Sequence, residues 1–400
     1  MSELEKTKEN NMIFGANIKK SYLASFFRGF HFISGVLLPF FLGWGKLTFV
    51  EVMLLQSYFT IMIVAFEIPC GAISDYISRK FSLFLGALAM ALAALIYSSM
   101  PNILLFVMGE TLFALGFALI SGADEAFIFD TLRKMNREID MPKIMARIRS
   151  FFLAGIGIAA PIGSIITLFY PLNYAMTFMF FPFIIASLIT LSFREPNHEL
   201  ERESIKYLSI VQSGFRELKK NKTLRILAFD FALVDVLVFL LIWTYQLYLD
   251  AVSVPLVYFG FIAASMTLTQ VIFFNLVPKL QLRFKNKKFF LTIYTMIPGI
   301  SYILIAFIIF PPIGIVLILI IIGIGFSRNI IFIGGINKNI EEENRATVLS
   351  TISMIRSFII TILYPLIGLL AMWNLHYTFI ILGISIILIS ILSRVKNEYL

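Results

Sequence analysis

The sequence has few charged residues and almost no cysteine or histidine, and each shortage excludes a class of protein. Charged residues make up 14% of the 400-residue chain, whereas a soluble globular domain typically carries about 25%. The single cysteine, Cys70, allows no intrachain disulfide. The three histidines lie at unrelated positions, and the sequence contains no P-loop and no G-x-S-x-G turn. It therefore shows no pattern of a metal site, a cofactor site or an active site. We expect a protein that is not an enzyme and needs no cofactor or metal.

Long apolar runs dominate what is present. Hydrophobic residues make up 59% of the chain, and runs of roughly 20 residues, long enough to cross a ~30 Å hydrocarbon core, recur along it. Few segments alternate with period two, which favours helices over barrel strands. The sequence predicts an all-α polytopic membrane protein with twelve transmembrane helices at about residues 20–43, 49–72, 81–100, 102–129, 148–170, 174–193, 224–249, 256–278, 289–310, 312–336, 346–371 and 375–393.

A polar segment divides these spans into two groups of six. We expect a tail over residues 1–19, an N-terminal half over 20–193, a linker over 194–223, a C-terminal half over 224–393 and a tail over 394–400. Within the linker, Ile205–Leu218 places apolar residues at helical spacing, which predicts an amphipathic helix at the membrane surface; a flexible linker is the alternative. Arg149-Ser-Phe-Phe matches Arg356-Ser-Phe-Ile at an offset of 356 − 149 = 207 residues, which suggests duplicated halves.

The cations indicate the orientation of the spans. Lys and Arg lie mainly in alternate connections, while turns such as Met100-Pro101-Asn102 are uncharged. The positive-inside rule then places both termini in the cytoplasm. Because the net charge of +9 follows the topology rather than one face, nucleic acid is not expected as a partner. The first apolar run is too long for a cleaved signal and is interpreted as a retained span.

Four stretches resemble motifs of major facilitator superfamily transporters. They are the spacing G-x-x-x-D-x-x-x-R-K in Gly71, Asp75, Arg79 and Lys80; the end of the fourth span with Asp124 and Asp130; the motif Gly155, Gly157, Pro161 and Gly163 in the fifth; and Asn344-Arg345-Ala-Thr-Val-Leu-Ser350 opening the eleventh. The last two are similar to bacterial drug-efflux members. The resemblance implies a multi-pass protein of a bacterial or archaeal cell membrane.

The resemblance also implies a gate at the connection between the second and third spans. Asp75 would face the start of a helix, where free backbone N–H groups favour an anion. Arg79 would pair with Asp130 or Asp124, and Lys80 and Arg345 belong to the same group of charges. The alternative is that these charges mark topology only.

Seven ionisable residues lie well inside predicted spans. Each costs a few kcal/mol at mid-bilayer and is therefore a candidate for proton coupling or substrate binding. They are Arg28, His31 (three residues later on the same helical face), Glu110, Asp230, Asp235, Arg328 and Arg356. Glu110 and Asp235 are the leading proton-coupling carboxylates. A fixed pair of Glu110 with Arg28 that only joins helices is the alternative.

These observations predict a secondary active transporter that works by alternating access. We expect proton-coupled efflux of a small, partly hydrophobic compound. Uptake or uniport of a small polar or anionic metabolite is one alternative, and a non-transporting sensor or assembly protein on the same fold is another. The expected partners are a small-molecule substrate, protons and the lipid bilayer, and the protein is expected to function as a monomer.

Overall fold

The apolar runs form helices joined by short turns. The computed structural model describes residues 3–196, 207–341 and 345–400, and no strand occurs within these ranges. In chain order the helices are α1 (Glu3–Arg28), α2 (Leu37–Pro39), α3 (Phe49–Tyr76), α4 (Arg79–Ser99), α5 (Ile103–Lys134), α6 (Met141–Phe169), α7 (Asn173–Thr177), α8 (Phe180–Leu191), α9 (Tyr207–Lys220), α10 (Lys222–Phe239), α11 (Leu241–Ala251), α12 (Val257–Arg283), α13 (Lys287–Ile305), α14 (Pro311–Lys338), α15 (Arg345–Trp373) and α16 (Leu375–Leu392).

Eleven helical segments in the described ranges are long and apolar enough to cross a membrane. A bent pair, Ile13–Gly35 with Leu37–Trp44, makes a twelfth if it is counted as one span. The predicted all-α polytopic membrane fold is therefore confirmed.

The first span is broken, whereas the sequence predicted one continuous helix over residues 20–43. α1 already begins at Glu3, within the predicted tail, and ends at Arg28. After Arg28 the backbone tightens into a 3-10 turn at Phe32–Gly35, and the two parts of the span meet at 63°. Before this bend, Gly29 lies so close to α6 that a Cβ would overlap the carbonyl oxygen of Phe152.

Several helices extend beyond the predicted spans into the charged connections. α5 has 32 residues, about 48 Å at 1.5 Å per residue, which exceeds a ~30 Å hydrocarbon core. The basic residues Arg133 and Lys134 therefore lie on its last turn, where cations interact favourably with the helix dipole. α3 likewise continues through Pro69 as far as Tyr76.

The described chain divides into two compact units. One comprises Met1–Lys46 and Tyr58–Tyr207, and the other comprises Leu47–Ser57 and Leu208–Leu400. In the first unit α4 packs along α5 and α8, and α1 packs on α6 and α8. Glycines allow α4 and α5 to approach closely: a Cβ on Gly86 would lie 2.9 Å from the carbonyl oxygen of Gly116.

The second unit has the same kind of helix contact. α13 packs on α14 and α16, and α12 packs on α14. A Cβ on Gly299 of α13 would lie 3.0 Å from the carbonyl oxygen of Gly383 of α16. The apolar spacing predicts a helix within the linker, and α9 lies there. Gly214 lets α9 pack closely against Thr347 and Thr351 of α15. Residues 205–206 of the predicted helix lie outside the described ranges.

Candidate functional site

The stretch Gly71–Lys80 consists of a helix end, a two-residue turn and a helix start rather than an open loop. α3 ends at Tyr76, and Ser78 caps α4 by accepting a hydrogen bond from the Phe81 N–H at 3.0 Å. Gly71 lies within α3, with open space where a Cβ would stand. The side chain of Asp75 lies outside the described part of the structure. Its contact with a helix start therefore stays a prediction.

Glu195 binds the first turn of α4. Its Oε1 accepts the Arg79 N–H at 3.0 Å, and its Oε2 accepts the Lys80 N–H at 2.9 Å and the Ser78 hydroxyl at 2.7 Å. The first N–H groups of a helix have no partner within the helix and carry its positive dipole end. A residue just beyond the sixth span thus supplies a carboxylate at the start of the third.

The side chain of Arg79 turns toward the end of α5. Its Nη1 pairs with the Asp130 carboxylate and donates to the Ala126 carbonyl at 2.9 Å. The Arg79 and Asp130 side chains are 15% and 13% exposed. Of its two predicted partners, Arg79 therefore takes Asp130. In the other unit, Arg345 is exposed at the start of α15 and has no ion pair with a described residue.

Arg28 pairs with Asp124, the remaining carboxylate at this end of α5. The Arg28 Nη2 donates to Asp124 Oδ2 at 2.8 Å, and the two side chains are 9% and 20% exposed. Pairing of Arg28 with Glu110 is wrong, because Glu110 and Asp124 are 124 − 110 = 14 residues apart on α5, about 21 Å at 1.5 Å per residue. His31 is not on one helical face with Arg28, because α1 ends at Arg28.

His31 lies instead among aromatic side chains. Its ring centroid is 5.4 Å from that of Phe183 and 6.1 Å from that of Phe152. Its Nε2 is buried without a hydrogen-bond partner among the described residues.

A pocket of about 280 Å³ opens beside the Arg28–Asp124 pair. It lies between α1, α5 and α6. A second pair, Arg149 with Glu125 at 3.2 Å, lies at its exposed rim, with side chains 75% and 59% exposed. We call this cavity the Arg28 pocket. It is lined by Ser25, Arg28, Ile120, Ser121, Asp124, Glu125, Met145, Ile148, Arg149 and Phe152.

Glu110 lies in a different part of the first unit. It is 5% exposed and interacts with Tyr97 of α4. Phe106 and Phe113, on the same helix, have ring centroids 5.6 and 5.8 Å from the Tyr97 ring. The carboxyl group is therefore buried between helices beside aromatic rings.

Asp235 is the centre of a polar cluster in the second unit. Arg356 of α15 donates its Nε to Asp235 Oδ2, and Asn329 of α14 donates its Nδ2 to Oδ1 at 2.7 Å. The Asp235 side chain is 3% exposed, whereas that of Arg356 is 28% exposed. The Arg356 guanidinium also lies over the Phe239 ring, 4.9 Å from its centroid. One buried carboxylate thus joins three helices, with its cation at the more exposed side.

Asp230 and Arg328 form a second, fully enclosed pair nearby on α10 and α14. Arg328 Nη2 binds the Asp230 carboxylate, Nε donates to Thr295 Oγ1 at 2.8 Å, and the guanidinium lies over the Phe332 ring at 4.2 Å. The side chains of Arg328 and Asp230 are 2% and 6% exposed. This pair has little access for a ligand and is suited to joining helices.

The glycine motif of α6 divides into two kinds of position. A Cβ on Gly155 would overlap the carbonyl oxygen of Phe26, and one on Gly163 would overlap that of Phe32. Gly157 has open space at the same place, and Pro161 lies within the helix. Two of the three glycines therefore lie where the helix meets the first span.

Three residues of these clusters were not singled out by the sequence: Glu195, Thr295 and Asn329. Glu195 is the second residue after the predicted sixth span and precedes Pro196, which is a weak sign of a functional turn. Asn329 adjoins Arg328 inside the tenth span, where an amide is unusual. Thr295 carries no signal in sequence.

Comparison with known proteins agrees with this architecture. The sequence model described as Major Facilitator Superfamily matches residues 21–358. No curated protein matches the chain. Among solved structures, the nucleoside transporter NupG is similar with a TM-score of 0.76 and 15% identity, over 94% of this chain and 97% of that one.

Two further solved structures are similar to a comparable degree. A bacterial homologue of the human lysosomal transporter Spinster has a TM-score of 0.74 and 14% identity, over 97% of this chain and 96% of that one. A D-xylose–proton symporter has a TM-score of 0.73 and 10% identity, over 97% and 99%. At such identities these likenesses show the fold alone.

Proposed function

The chain belongs to the Major Facilitator Superfamily and is a membrane transporter rather than an enzyme, and we propose that it couples transport to protons through Asp235. It acts as a secondary active transporter by alternating access and exports a small, partly hydrophobic compound. The observation that carries the proposal is the unequal exposure of the Asp235–Arg356 pair, 3% against 28%.

The physical basis is the cost of a buried charge. Asp235 accepts hydrogen bonds from Arg356 and Asn329, and this arrangement favours the ionised carboxylate. If Arg356 turns away toward a ligand or solvent, the carboxylate remains buried without its cation, which costs several kcal/mol. Uptake of a proton removes that cost. Movement of the exposed partner therefore links proton binding to the state of the transporter.

The other buried carboxylates fit this role less well. Asp230 is enclosed with Arg328, and three further groups hold the guanidinium: Thr295, the Asp230 carbonyl and Phe332. Glu110 interacts with Tyr97 and lies beside aromatic rings. Glu110 remains the second candidate, because a carboxyl group at such a site can also take up a proton.

Two features support a partly hydrophobic cargo and the direction of export. Aromatic rings lie on or next to the helices of the Asp235 cluster: Phe239 contacts Arg356, and Trp243 of α11 meets Tyr364 of α15 at a ring-centroid distance of 6.3 Å. Aromatic side chains on these helices suit a partly apolar ligand. The glycine motif of α6 and the opening of α15 are similar to those of drug-efflux members, which favours export.

The first experiment identifies a cargo. Cells that express the chain are screened for resistance to varied toxic compounds, with and without a protonophore. Resistance that the protonophore abolishes supports proton-coupled efflux, whereas sensitisation indicates uptake. If no compound changes growth and no flux occurs in proteoliposomes, the protein is a sensor or assembly protein and the proposal is wrong.

The second experiment tests Asp235 with that cargo in proteoliposomes. We expect Asp235→Asn to lose accumulation driven by a pH gradient, by at least about tenfold as for other essential proton-transfer groups, and to retain exchange of cargo for cargo without a gradient. Asp250→Asn is the matched control, because Asp250 is an exposed carboxylate at the end of α11. Gradient-driven accumulation that survives in Asp235→Asn would exclude this residue.

A further inference from the structure

We infer that the Arg28 pocket binds a small zwitterion: a molecule with a carboxylate, an ammonium group and an apolar body, such as an apolar α-amino acid. This assignment rests on the proposed transport function, since it names the class of cargo. It goes further than that function because the site lies in the first unit, on residues separate from the Asp235 cluster.

The first argument is that Arg28 has unused hydrogen-bond donors. An arginine carries five N–H donors in a planar fork, and the side chain of Arg28 is 9% exposed. Nη2 binds Asp124, while Nε is buried without a partner and Nη1 has none among the described residues. Buried polar groups are normally satisfied. A guanidinium that lines a cavity with so few partners is suited to bind a ligand oxygen.

The second argument is that the acceptors are also incompletely used. Asp124 receives Arg28 through Oδ2, and its Oδ1 has no partner among the described residues. The Asp124 side chain is 20% exposed. Glu125, next to it on α5, meets Arg149 through Oε1 alone. An ammonium group can therefore bind to α5 while a carboxylate binds Arg28, and the existing pairs need not break.

The third argument is charge balance. The pocket contains two arginines, Arg28 and Arg149, and two acids, Asp124 and Glu125. A ligand with one net charge would leave that charge uncompensated in a partly buried site, which is costly. A zwitterion adds one charge of each sign and leaves the balance unchanged. The pocket therefore favours a zwitterion over an anion or a cation.

The remaining wall sets the size and polarity of the ligand. Ile120, Met145, Ile148 and Phe152 supply apolar surface. The hydroxyl of Ser25 is already used, since it donates to the Ile148 carbonyl at 3.0 Å. The volume of about 280 Å³ is just below the ~300–1,000 Å³ that small-molecule sites occupy. A single apolar side chain next to the two charged groups fits this description.

The test uses three ligands of nearly equal shape with the protein in lipid nanodiscs. L-phenylalanine carries both charges, phenylalaninamide only the ammonium group, and 3-phenylpropanoate only the carboxylate. Binding is measured by calorimetry at pH 7, and the leucine and methionine series are measured in the same way. We expect the amino acid of at least one series to bind about 10- to 100-fold more tightly than either analogue, the range that one charged hydrogen bond provides.

Variants then assign the two charges. Arg28→Gln should remove the advantage of the amino acid over its amide, and Asp124→Asn should remove its advantage over the carboxylate. Arg28→Lys keeps the cation and should retain part of the preference for the amino acid over its amide. This variant therefore separates loss of binding from misfolding. Arg137→Gln is the control, because Arg137 forms an exposed pair with Asp140 and does not line this pocket.

The outcomes separate this site from the proposed proton coupling, because binding requires no gradient. Asp235→Asn should bind the amino acid normally. If no series prefers the zwitterion, or if the preference survives in Arg28→Gln, the site assignment is wrong, whatever the transport experiments give. If zwitterions bind at Arg28 but never cross the membrane, the site stands and the transport function fails.

Discussion

Glu195 provides a sharp prediction, because both of its carboxylate oxygens bind the start of α4. Glu195→Gln preserves the size of the side chain but removes its charge and replaces one acceptor oxygen with an NH₂ group. Among the Ser78 hydroxyl and the N–H groups of Arg79 and Lys80, at least one donor then loses its acceptor. The first turn of α4 should become easier to open.

The magnitude follows from these contacts. A hydrogen bond to a charged group contributes about 1.5–3 kcal/mol, and a carboxylate at a helix N-terminus a further ~0.3–1 kcal/mol. Glu195 is half-buried, so the lower part of the sum applies. We expect Glu195→Gln to reduce the free energy of opening by about 1–3 kcal/mol, roughly 5- to 150-fold in the population of the open state.

The single cysteine supplies the assay. Cys70 is 2% exposed on α3 and packs against Ala118 and Leu119 of α5. A maleimide therefore reacts when α3 separates from α5, either locally or on unfolding. Ser78, which Glu195 binds, lies in the turn that joins α3 to α4, so loss of this contact also loosens the end of α3, and the rate of labelling in nanodiscs should rise in Glu195→Gln. Glu138→Gln, at an exposed carboxylate, should label like the unmodified protein. Equal rates in the two variants would refute the role of Glu195.

Two further predictions concern packing and buried charge. Gly163→Ala should destabilise the protein by about 1–3 kcal/mol, the usual cost of overpacking, because a Cβ overlaps the Phe32 carbonyl, while Gly157→Ala should be tolerated. Arg328→Met should cost about 3–5 kcal/mol because Asp230 remains buried without its cation, and adding Asp230→Leu should recover most of that loss. Thermal unfolding midpoints check both predictions. Equal midpoints for Gly163→Ala and Gly157→Ala would contradict the packing argument, and equal midpoints for Arg328→Met and the double variant would contradict the charge argument.

The positions of the spans follow from composition alone, because only a long apolar run can cross hydrocarbon. The break in the first span does not follow in the same way. Ile13–Gly35 and Leu37–Trp44 together are apolar enough for one span, so hydropathy does not mark the 63° bend between them. Helix ends were also misplaced, because charged residues at the ends of α5 and α6 continue a helix that hydropathy stops at the membrane surface.

The identities of the buried charges were readable from sequence, but most of their partners were not. Which carboxylate Arg28 meets depends on the rotation and depth of α5, and these are set by packing against other helices. Arg79 illustrates the opposite case, because its partner lies at the same end of the adjacent helix and was among the two candidates. Glu195 was missed because a carboxylate beyond the last apolar residue of a span resembles any solvated charge.

The proposed duplication offers a reason for the arrangement of the pairs. The offset of 207 residues places Arg28 of the first half at the position of Asp235 in the second, since 28 + 207 = 235. These two positions carry opposite charges, and each charge has its partner within its own unit: Asp124 for Arg28 and Arg356 for Asp235. A buried charge must be compensated by a group that stays beside it. By the same offset Arg356 corresponds to Arg149, and Asp124 corresponds to Ile331. The two halves therefore take the partner of this position from different helices, α5 in the first half and α15 in the second.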